Sequence, residues 1–499
     1  MDTKEITIEI RLGADVIIKS KQVRAWFVDR LVGNIKNALG GQGIRHTMQH
    51  SSSCIFLRTG DPAALVLLKN IFGISTFSVI EHQCPSDLET IIQTGTNAYK
   101  DDVKGKTFGI RTKRRAKLPF RSNDINCRLG DNLNAYAAGV DLDRPEFAIF
   151  IDVDKQTTQF YTGRVPGAGG LPLGVSGHAV CLFSGGFDSP VAAWSMLKRG
   201  VKIDYVFCNL AGESYRRNVL RVGKIMAEYW HHGCSAQMHI VDFQPVVEAL
   251  KSSVEPRVIQ VVLKRLFYRA ADLVARKLRA SAIITGEALG QVSSQTLENF
   301  GAIQEATPFP VLRPLVGMDK QEIVDLSKKI GTYNLSAHIK EYCQLTLGKT
   351  HTKCPLSLAI SEEQKIPEGL INELVNRRET LNLRGLTEDD LNPPELFIDH
   401  IPPNAVIFDC RDETQFRQWH HPDALMLDIG RLLKDPSALD KGKCYILYCP
   451  FGAQSAAAAE ELRQKGLEAY SFRGGTKAMR SYTDRLTDHS LMAEGQRPL

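Results

Sequence analysis

Ser184-Gly185-Gly186-Phe187-Asp188-Ser189 combines residue types and spacing that suit the binding of a phosphate group. A short apolar run, 179–183, stops at this segment, and a helix-like run, 190–198, follows it. The pattern predicts a strand, a tight glycine turn and a helix N-terminus. Paired glycines let backbone N–H groups close on an anion, and the helix start adds its own N–H groups and positive dipole end. Ser184 and Ser189 add hydroxyl donors, and Asp188 can hold a magnesium ion against phosphates. An ordinary strand-to-helix turn explains two glycines, but not two serines and an aspartate placed around them.

The chain has no G-x-x-x-x-G-K-[ST] segment. Its serine-glycine turn resembles instead the PP-loop of ATP pyrophosphatases. That resemblance implies ATP as ligand and adenylation, rather than phosphoryl transfer to a protein or to water. A second segment, Thr285-Gly286-Glu287-Ala288-Leu289-Gly290-Gln291-Val292-Ser293-Ser294-Gln295-Thr296, follows a strand-like run and is rich in small and hydrogen-bonding residues. With the first turn it suggests a nucleotide-facing wall. Lys264 and Arg265 lie on a helical run within reach of phosphates, and Asp319-Lys320 reads as a helix start that brings a cation to the site.

A third candidate is Cys449. The run 443–448 reads as a strand ending at this cysteine, and Cys449-Pro450-Phe451-Gly452-Ala453-Gln454-Ser455 leads into a helix. Such a loop aims backbone N–H groups at the sulfur, and with the helix dipole they favour a thiolate or persulfide. A buried structural cysteine is the alternative. Asp409-Cys410-Arg411 and Phe472-Arg473-Gly474-Gly475 make the segment resemble a rhodanese domain. Many rhodanese loops carry an arginine. This one has no charged residue, so the backbone must stabilise the sulfur.

These groups need a framework to position them. At 499 residues the chain suggests about three or four domains. Residues 1–60 hold a period-two strand (5–12), a helical run (23–39) and further strand (44–57), a small α+β unit. Residues 61–166 read as a second unit, with helices at 62–70 and 87–99 and strands at 106–111, 147–152 and 158–161. The Gly- and Pro-rich stretch 163–177 reads as a linker. From 178 to 395, strands at 179–183, 201–209, 237–242 and 282–285 alternate with helices, predicting a parallel α/β sheet that binds ligands at its carboxyl end. Residues 361–395 are charged and end at Asn-Pro-Pro; 398–485 repeat the α/β pattern on a smaller scale; the polar tail follows.

Hydrophobic content of 43% and charged content of 24% are those of an ordinary soluble protein. No apolar run is long enough for a membrane span, and the start is not a signal peptide, so a cytoplasmic location is expected. Net charge is +6, and its distribution says more. Lys100 to Arg121 carries nine cations against two aspartates, which points to a polyanion partner rather than a merely solvated face. Eleven scattered cysteines without a C-x-x-C pair argue against a disulfide framework and against a zinc site; no metal ligand set is expected.

Taken together, the 184–189 and 286–295 motifs, Leu312-Arg313-Pro314-Leu315 and Asp319-Lys320 resemble the tRNA 4-thiouridine synthetase family, the ThiI-type sulfurtransferases. Lys106-Thr107-Phe108, Arg111, Lys113-Arg114-Arg115 and Phe120-Arg121-Ser122-Asn123-Asp124-Ile125 resemble its THUMP domain, and the N-terminal unit its ferredoxin-like domain. The resemblance covers nearly the whole chain. It implies a multidomain α/β and α+β protein with ferredoxin-like (1–60), THUMP (61–166), PP-loop adenylation (178–395) and rhodanese-like (398–485) domains. By motif it implies nucleotide contacts at Leu182, Phe183, Ser184, Gly185, Gly186, Ser189, Phe207, Cys208, Lys264, Gly286 and Gln295, with Asp188 and Lys320 as the charged residues of adenylation. The same resemblance implies RNA contacts through Lys106, Arg111, Lys113, Arg114, Arg115 and Arg121.

The resemblance also implies that Cys449 carries persulfide sulfur from a cysteine desulfurase and that Cys343 forms a redox disulfide with it. Cys354, nearby, is either structural or a rival for that role. ATP, Mg2+ and tRNA are the implied ligands, and thiamine thiazole synthesis, with a sulfur carrier protein, is a second implied outlet. A PP-loop ligase acting on a small acid, which needs neither the basic segment nor Cys449, and a non-catalytic tRNA-binding protein are the competing readings.

Overall fold

The structure is a computed structural model that describes residues 5–51, 54–337, 339, 351–392, 394–427, 439–450 and 452–494. Its first body begins with Ile6–Leu12, whose alternation puts Ile8, Ile10 and Leu12 inside. They pack on Phe27, Leu31, Ile35 and Leu39, one face of the helix Lys21–Gly41, which Ser20 caps. The antiparallel sheet runs in the order Val165–Pro166, Ile74–Ile80, Ile6–Leu12, Cys54–Thr59, His46–His50. It therefore continues past the division expected at residue 60, because Ile74–Ile80 pairs with the first strand. The stretch expected as a linker is also docked. Val165–Pro166 adds an edge strand, Leu171 and Leu173 are buried, and a Cβ on Gly167 would stand 2.5 Å from the Ile74 carbonyl oxygen.

A second sheet follows, in the order His82–Pro85, Thr157–Tyr161, Phe147–Val153, Thr107–Arg114, Gly139–Val140. Phe108, Ile110, Ile149 and Ile151 face the apolar sides of helices Leu88–Tyr99 and Ser122–Asn134.

In the second body, six strands lie in the order Val311–Leu312, Ala282–Ile284, His178–Leu182, Lys202–Asn209, Gln237–Asp242, Glu379–Asn382. The first five are parallel and the last antiparallel. The charged segment 361–395 thus completes the sheet edge. The chain leaves His178–Leu182 toward one edge, then returns to lay Ala282–Ile284 on its other side. This reversal opens a crevice between the two strand ends, the place where open α/β sheets bind ligands.

A fourth, all-parallel sheet has the order Phe397–Ile398, Glu468–Phe472, Cys444–Tyr448, Val406–Asp409, Ala424–Met426. Ala458, Ala459 and Leu462 of helix Ala453–Gln464 share its core. The tail beyond 485 continues the helix Gly475–Glu494. No helix among the described residues is long and apolar enough to cross a membrane.

Candidate active sites

The phosphate-type turn leaves the strand His178–Leu182 and enters the helix Asp188–Leu197. Gly185 has φ +76°, and a Cβ there would meet Ile339 Cδ1 at 2.7 Å, so the turn has room only for glycine. The Ser184 N–H donates to Ser189 Oγ at 3.1 Å, the Tyr215 hydroxyl donates to the Ser184 carbonyl at 3.3 Å, and the Ser336 hydroxyl donates to the Gly185 carbonyl at 2.8 Å. The loop after Ala282–Ile284 closes on this turn at Gly286. A Cβ on Gly286 would lie 2.8 Å from both the Asp188 carbonyl carbon and the Ser189 nitrogen.

Between the two loops is a cavity of roughly 420 Å³. Leu182, Phe183, Ser184, Gly186, Asp188, Ser189, Cys208, Lys264, Gly286 and Gln295 all line it. Gly185 shapes the turn behind the wall. Phe207 is buried with its ring against Tyr215, 5.1 Å between centroids, and supports the wall instead of forming it. Lys320 begins the helix Lys320–Ile330, the start expected at Asp319-Lys320, and Asp319 and Glu322 cap it reciprocally. Its Nζ donates to Asp188 Oδ1 at 3.0 Å, and Gln291 Nε2 donates to Oδ2 at 2.9 Å.

A buried anion that the sequence pattern does not single out organises the rear of the cavity. Glu287 accepts from Lys264 Nζ (3.1 Å), the Tyr268 hydroxyl (2.6 Å), the Thr285 hydroxyl (3.1 Å) and Arg313 Nε (3.0 Å). Burial alone would push its carboxyl up, but Lys264, Tyr268 and Arg313 together hold it below the usual carboxylate range. The signal for Tyr268 is faint, because a tyrosine on an apolar helix face reads as core. Arg265 does not reach the cavity. It is buried, donating to Glu363 at 2.5 Å and to the Ala302 carbonyl. Among the described residues no group of three or more His, Cys, Asp or Glu is placed to hold a metal ion. A magnesium ion held by one carboxylate and the phosphates of a nucleotide needs no such group, and Asp188 fits that mode.

The second site is at the end of Cys444–Tyr448. Cys449 is 1% exposed. Its Sγ accepts from the Ser455 N–H at 3.4 Å and from the Ser455 hydroxyl at 3.3 Å, and that hydroxyl lies 2.8 Å from Ser471 Oγ. The donors are a first-turn N–H of helix Ala453–Gln464 and a serine that no charge accompanies, in keeping with the uncharged loop. Behind them the Tyr448 hydroxyl donates to Asp409 at 2.7 Å, and Arg411 pairs with the same carboxylate at 2.6 Å. Burial pushes the neighbouring Cys410 thiol up, with Cys449 adding to the effect.

Cys343 lies outside the described residues. Cys354 is 3% exposed in an apolar cluster with Val258, Val261 and Ile303, its N–H donating to Asn299 Oδ1 at 2.9 Å. Burial pushes its thiol up, as expected of a packing residue.

The basic segment divides into two kinds of cation. Lys106, Arg111, Lys113 and Arg121 are exposed, though Arg111 also donates to the Leu142 carbonyl at 3.2 Å. Arg114 turns onto the Leu118 and Phe120 carbonyls. Arg115 pairs with Asp152 at 2.6 Å and with the buried Glu9.

Four family models match this chain: the ThiI ferredoxin-like domain over residues 7–78, the THUMP domain over 85–162, the thiamine biosynthesis protein (ThiI) over 174–367, and the rhodanese-like domain over 394–481. It is 38% identical to a tRNA sulfurtransferase of Pyrobaculum aerophilum over 81% of this chain and 84% of that protein. Identity to a tRNA sulfurtransferase of Desulfurococcus amylolyticus is 32%, over 95% of this chain and 98% of the relative. A crystal structure of a 4-thiouridine synthetase–RNA complex with bound ATP superposes with a TM-score of 0.65 and 30% identity, over 76% of this chain and 99% of that one. With this order of domains, and relatives matched along nearly their full lengths, the chain belongs to the ThiI family of tRNA sulfurtransferases.

Proposed function

We propose that this protein is an ATP-dependent tRNA sulfurtransferase that converts a uridine of tRNA to 4-thiouridine. One observation carries the reading: the turn 184–189 and the Gly286 loop close around a single cavity, with the Asp188–Lys320 pair beside it. The relatives named tRNA sulfurtransferase and the ATP-bound neighbour support it.

ATP lies with its phosphates on the N–H groups of the 184–189 turn. Asp188 would hold Mg2+, whose charge would offset that of the phosphates. The uridine C4 oxygen attacks the α-phosphorus and pyrophosphate leaves. Lys264 and Lys320 stabilise the charge that builds on the phosphoryl oxygens. The terminal sulfur of a Cys449 persulfide then attacks C4 and AMP leaves, so that uridine and Cys449 share a disulfide. Cys343 attacks the Cys449 sulfur and thiouridine departs. The two cysteines are left as a disulfide, which an external dithiol reduces.

Lys106, Arg111, Lys113 and Arg121 contact tRNA phosphates, while Arg114 and Arg115 hold the basic segment in shape. The setting is the cytoplasm, and a cysteine desulfurase supplies the persulfide. The same Cys449 sulfur serves a carrier protein of thiamine synthesis. The test is transfer of labelled sulfur from a persulfide donor to tRNA. Label should enter C4 of uridine only with ATP present, with one AMP and one pyrophosphate formed per thiouridine. Incorporation without ATP would overturn the scheme.

A further inference from the structure

Beside the Cys449 loop lies a carboxylate that no step above uses. Residues 387–392 form a one-turn corner. Asp390 accepts the Thr387 N–H at 2.7 Å, and Thr387 Oγ1 accepts the Asp390 N–H at 3.3 Å, a reciprocal cap that fixes the helix Glu388–Leu391. Leu391 is buried, and Asn392 Oδ1 accepts from Arg221 Nε at 2.8 Å. The corner is thereby anchored to helix Glu213–Trp230 of the adenylation fold.

From that anchor the Glu388 side chain reaches the sulfur loop. Oε2 accepts the Gly474 N–H at 2.9 Å. Oε1 lies so close to Gly452 that a Cβ there would be 2.2 Å away. Both glycines have positive φ, +72° at Gly452 and +79° at Gly474. Gly475 in turn touches the cysteine itself: a Cβ on it would be 2.5 Å from the Cys449 carbonyl oxygen. The carboxylate therefore bridges the two glycine turns that border Cys449. Arg473 pairs with Asp389 at 2.8 Å and Arg221 with Glu460 at 2.7 Å, tying the same two folds together. Burial pushes the Glu388 carboxyl up, in keeping with a site withdrawn from water.

A carboxylate on a backbone N–H of a glycine turn beside a sulfur loop occupies the kind of place that an anionic sulfur donor would need. We propose that Glu388 is a latch: it seals the Cys449 loop, and sulfur is loaded onto Cys449 only when the 387–391 corner withdraws. The loading clause rests on the reading of Cys449 as the sulfur carrier; the sealing clause rests on geometry alone.

The full-length protein is treated with iodoacetamide, and alkylation of Cys449 is followed by peptide mass spectrometry. The exposed Cys127 of the same chain is the internal standard. Glu388→Ala should raise the Cys449 rate about tenfold or more, since a closed site reacts only through its open fraction. Arg473→Ala, a surface change that removes the Asp389 tether, should raise it in the same direction and carries the test if Glu388→Ala fails to fold. The Cys127 rate should stay constant.

The same proteins are then offered inorganic polysulfide. The Cys449 thiolate attacks a polysulfide sulfur, forms the new S–S bond and expels the shortened polysulfide. Uptake should quicken in step with alkylation. Equal Cys449 rates in wild type and in the folded latch variants would overturn the latch. Faster alkylation with no sulfur uptake in any variant would uphold the seal and remove Cys449 from sulfur transfer.

Discussion

Gly286→Ala tests the closure of the nucleotide cavity directly. The new Cβ would stand 2.8 Å from the Asp188 carbonyl carbon and the Ser189 nitrogen, and 3.1 Å from Asp188 Cβ. Carbon contacts settle at about 3.5 Å or more. The obstructing atoms are mostly backbone, so the two loops must part by roughly 0.7 Å, the shortfall from that contact distance. Overpacking of this kind costs about 1–3 kcal/mol of stability. The larger effect falls on chemistry, because Asp188 moves relative to Lys320 and Gln291, and a displacement near 1 Å costs about 100-fold in rate. Pyrophosphate release in the presence of tRNA should therefore fall by about ten- to a hundredfold. tRNA affinity and sulfur acceptance at Cys449 should be unchanged. Gly301→Ala is the control: nothing lies within 4 Å of its Cβ position, and the residue is in the helix Leu297–Gln304, so activity should hold and stability should rise slightly. Turnover of Gly286→Ala within twofold of wild type would refute the closure argument.

Asp188→Ala should abolish tRNA-dependent pyrophosphate release while leaving tRNA binding intact, as measured by filter binding. Neutralising Arg111 and Lys113 together should flatten the salt dependence of tRNA binding by about 0.7–0.9 for each phosphate no longer neutralised, read from titrations at several salt concentrations. Arg115→Ala should instead lower the unfolding midpoint in urea by leaving Glu9 and Asp152 with Arg11 as their shared partner. His239 supplies a pH test. Burial, with Arg378 beside it, lowers its pKa to about 4 from an ordinary 6.5. Between these values the unfolded chain binds the extra proton. Stability linked to His239 is thus present above pH 6.5, falls as pH drops toward 4, and levels off below. His239→Gln should flatten urea midpoints across that window.

Local patterns foretold most elements. The period-two strand at Ile6–Leu12, the buried strand Gln237–Asp242 and the Asp319 cap depend on neighbours within a few residues, and the sequence states those directly. The turn 184–189 was legible for the same reason. Composition misled where packing decides. The Gly- and Pro-rich 163–177 stretch reads as a linker, yet Val165–Pro166 finds a free sheet edge at Ile74–Ile80. The charged 361–395 segment hides the edge strand Glu379–Asn382.

Side-chain roles divide along the same line. Lys320 meets Asp188 across 132 residues, and Arg115 meets Glu9 across 106. By sequence alone Arg115 is one more cation in a basic run. Glu287 is one polar residue in a loop, and Glu388 one charge among several. What the sequence by itself determined was the chemistry available: a phosphate turn, a cysteine loop, a surplus of cations and the order in which they occur. Only the tertiary structure decided which cation is spent on partners within the protein, which carboxylate organises the cavity and which one bridges the glycine turns beside the cysteine. Hydrogen bonds and burial depend on distance in space, and that distance is set by strand order, which no local pattern of residues encodes.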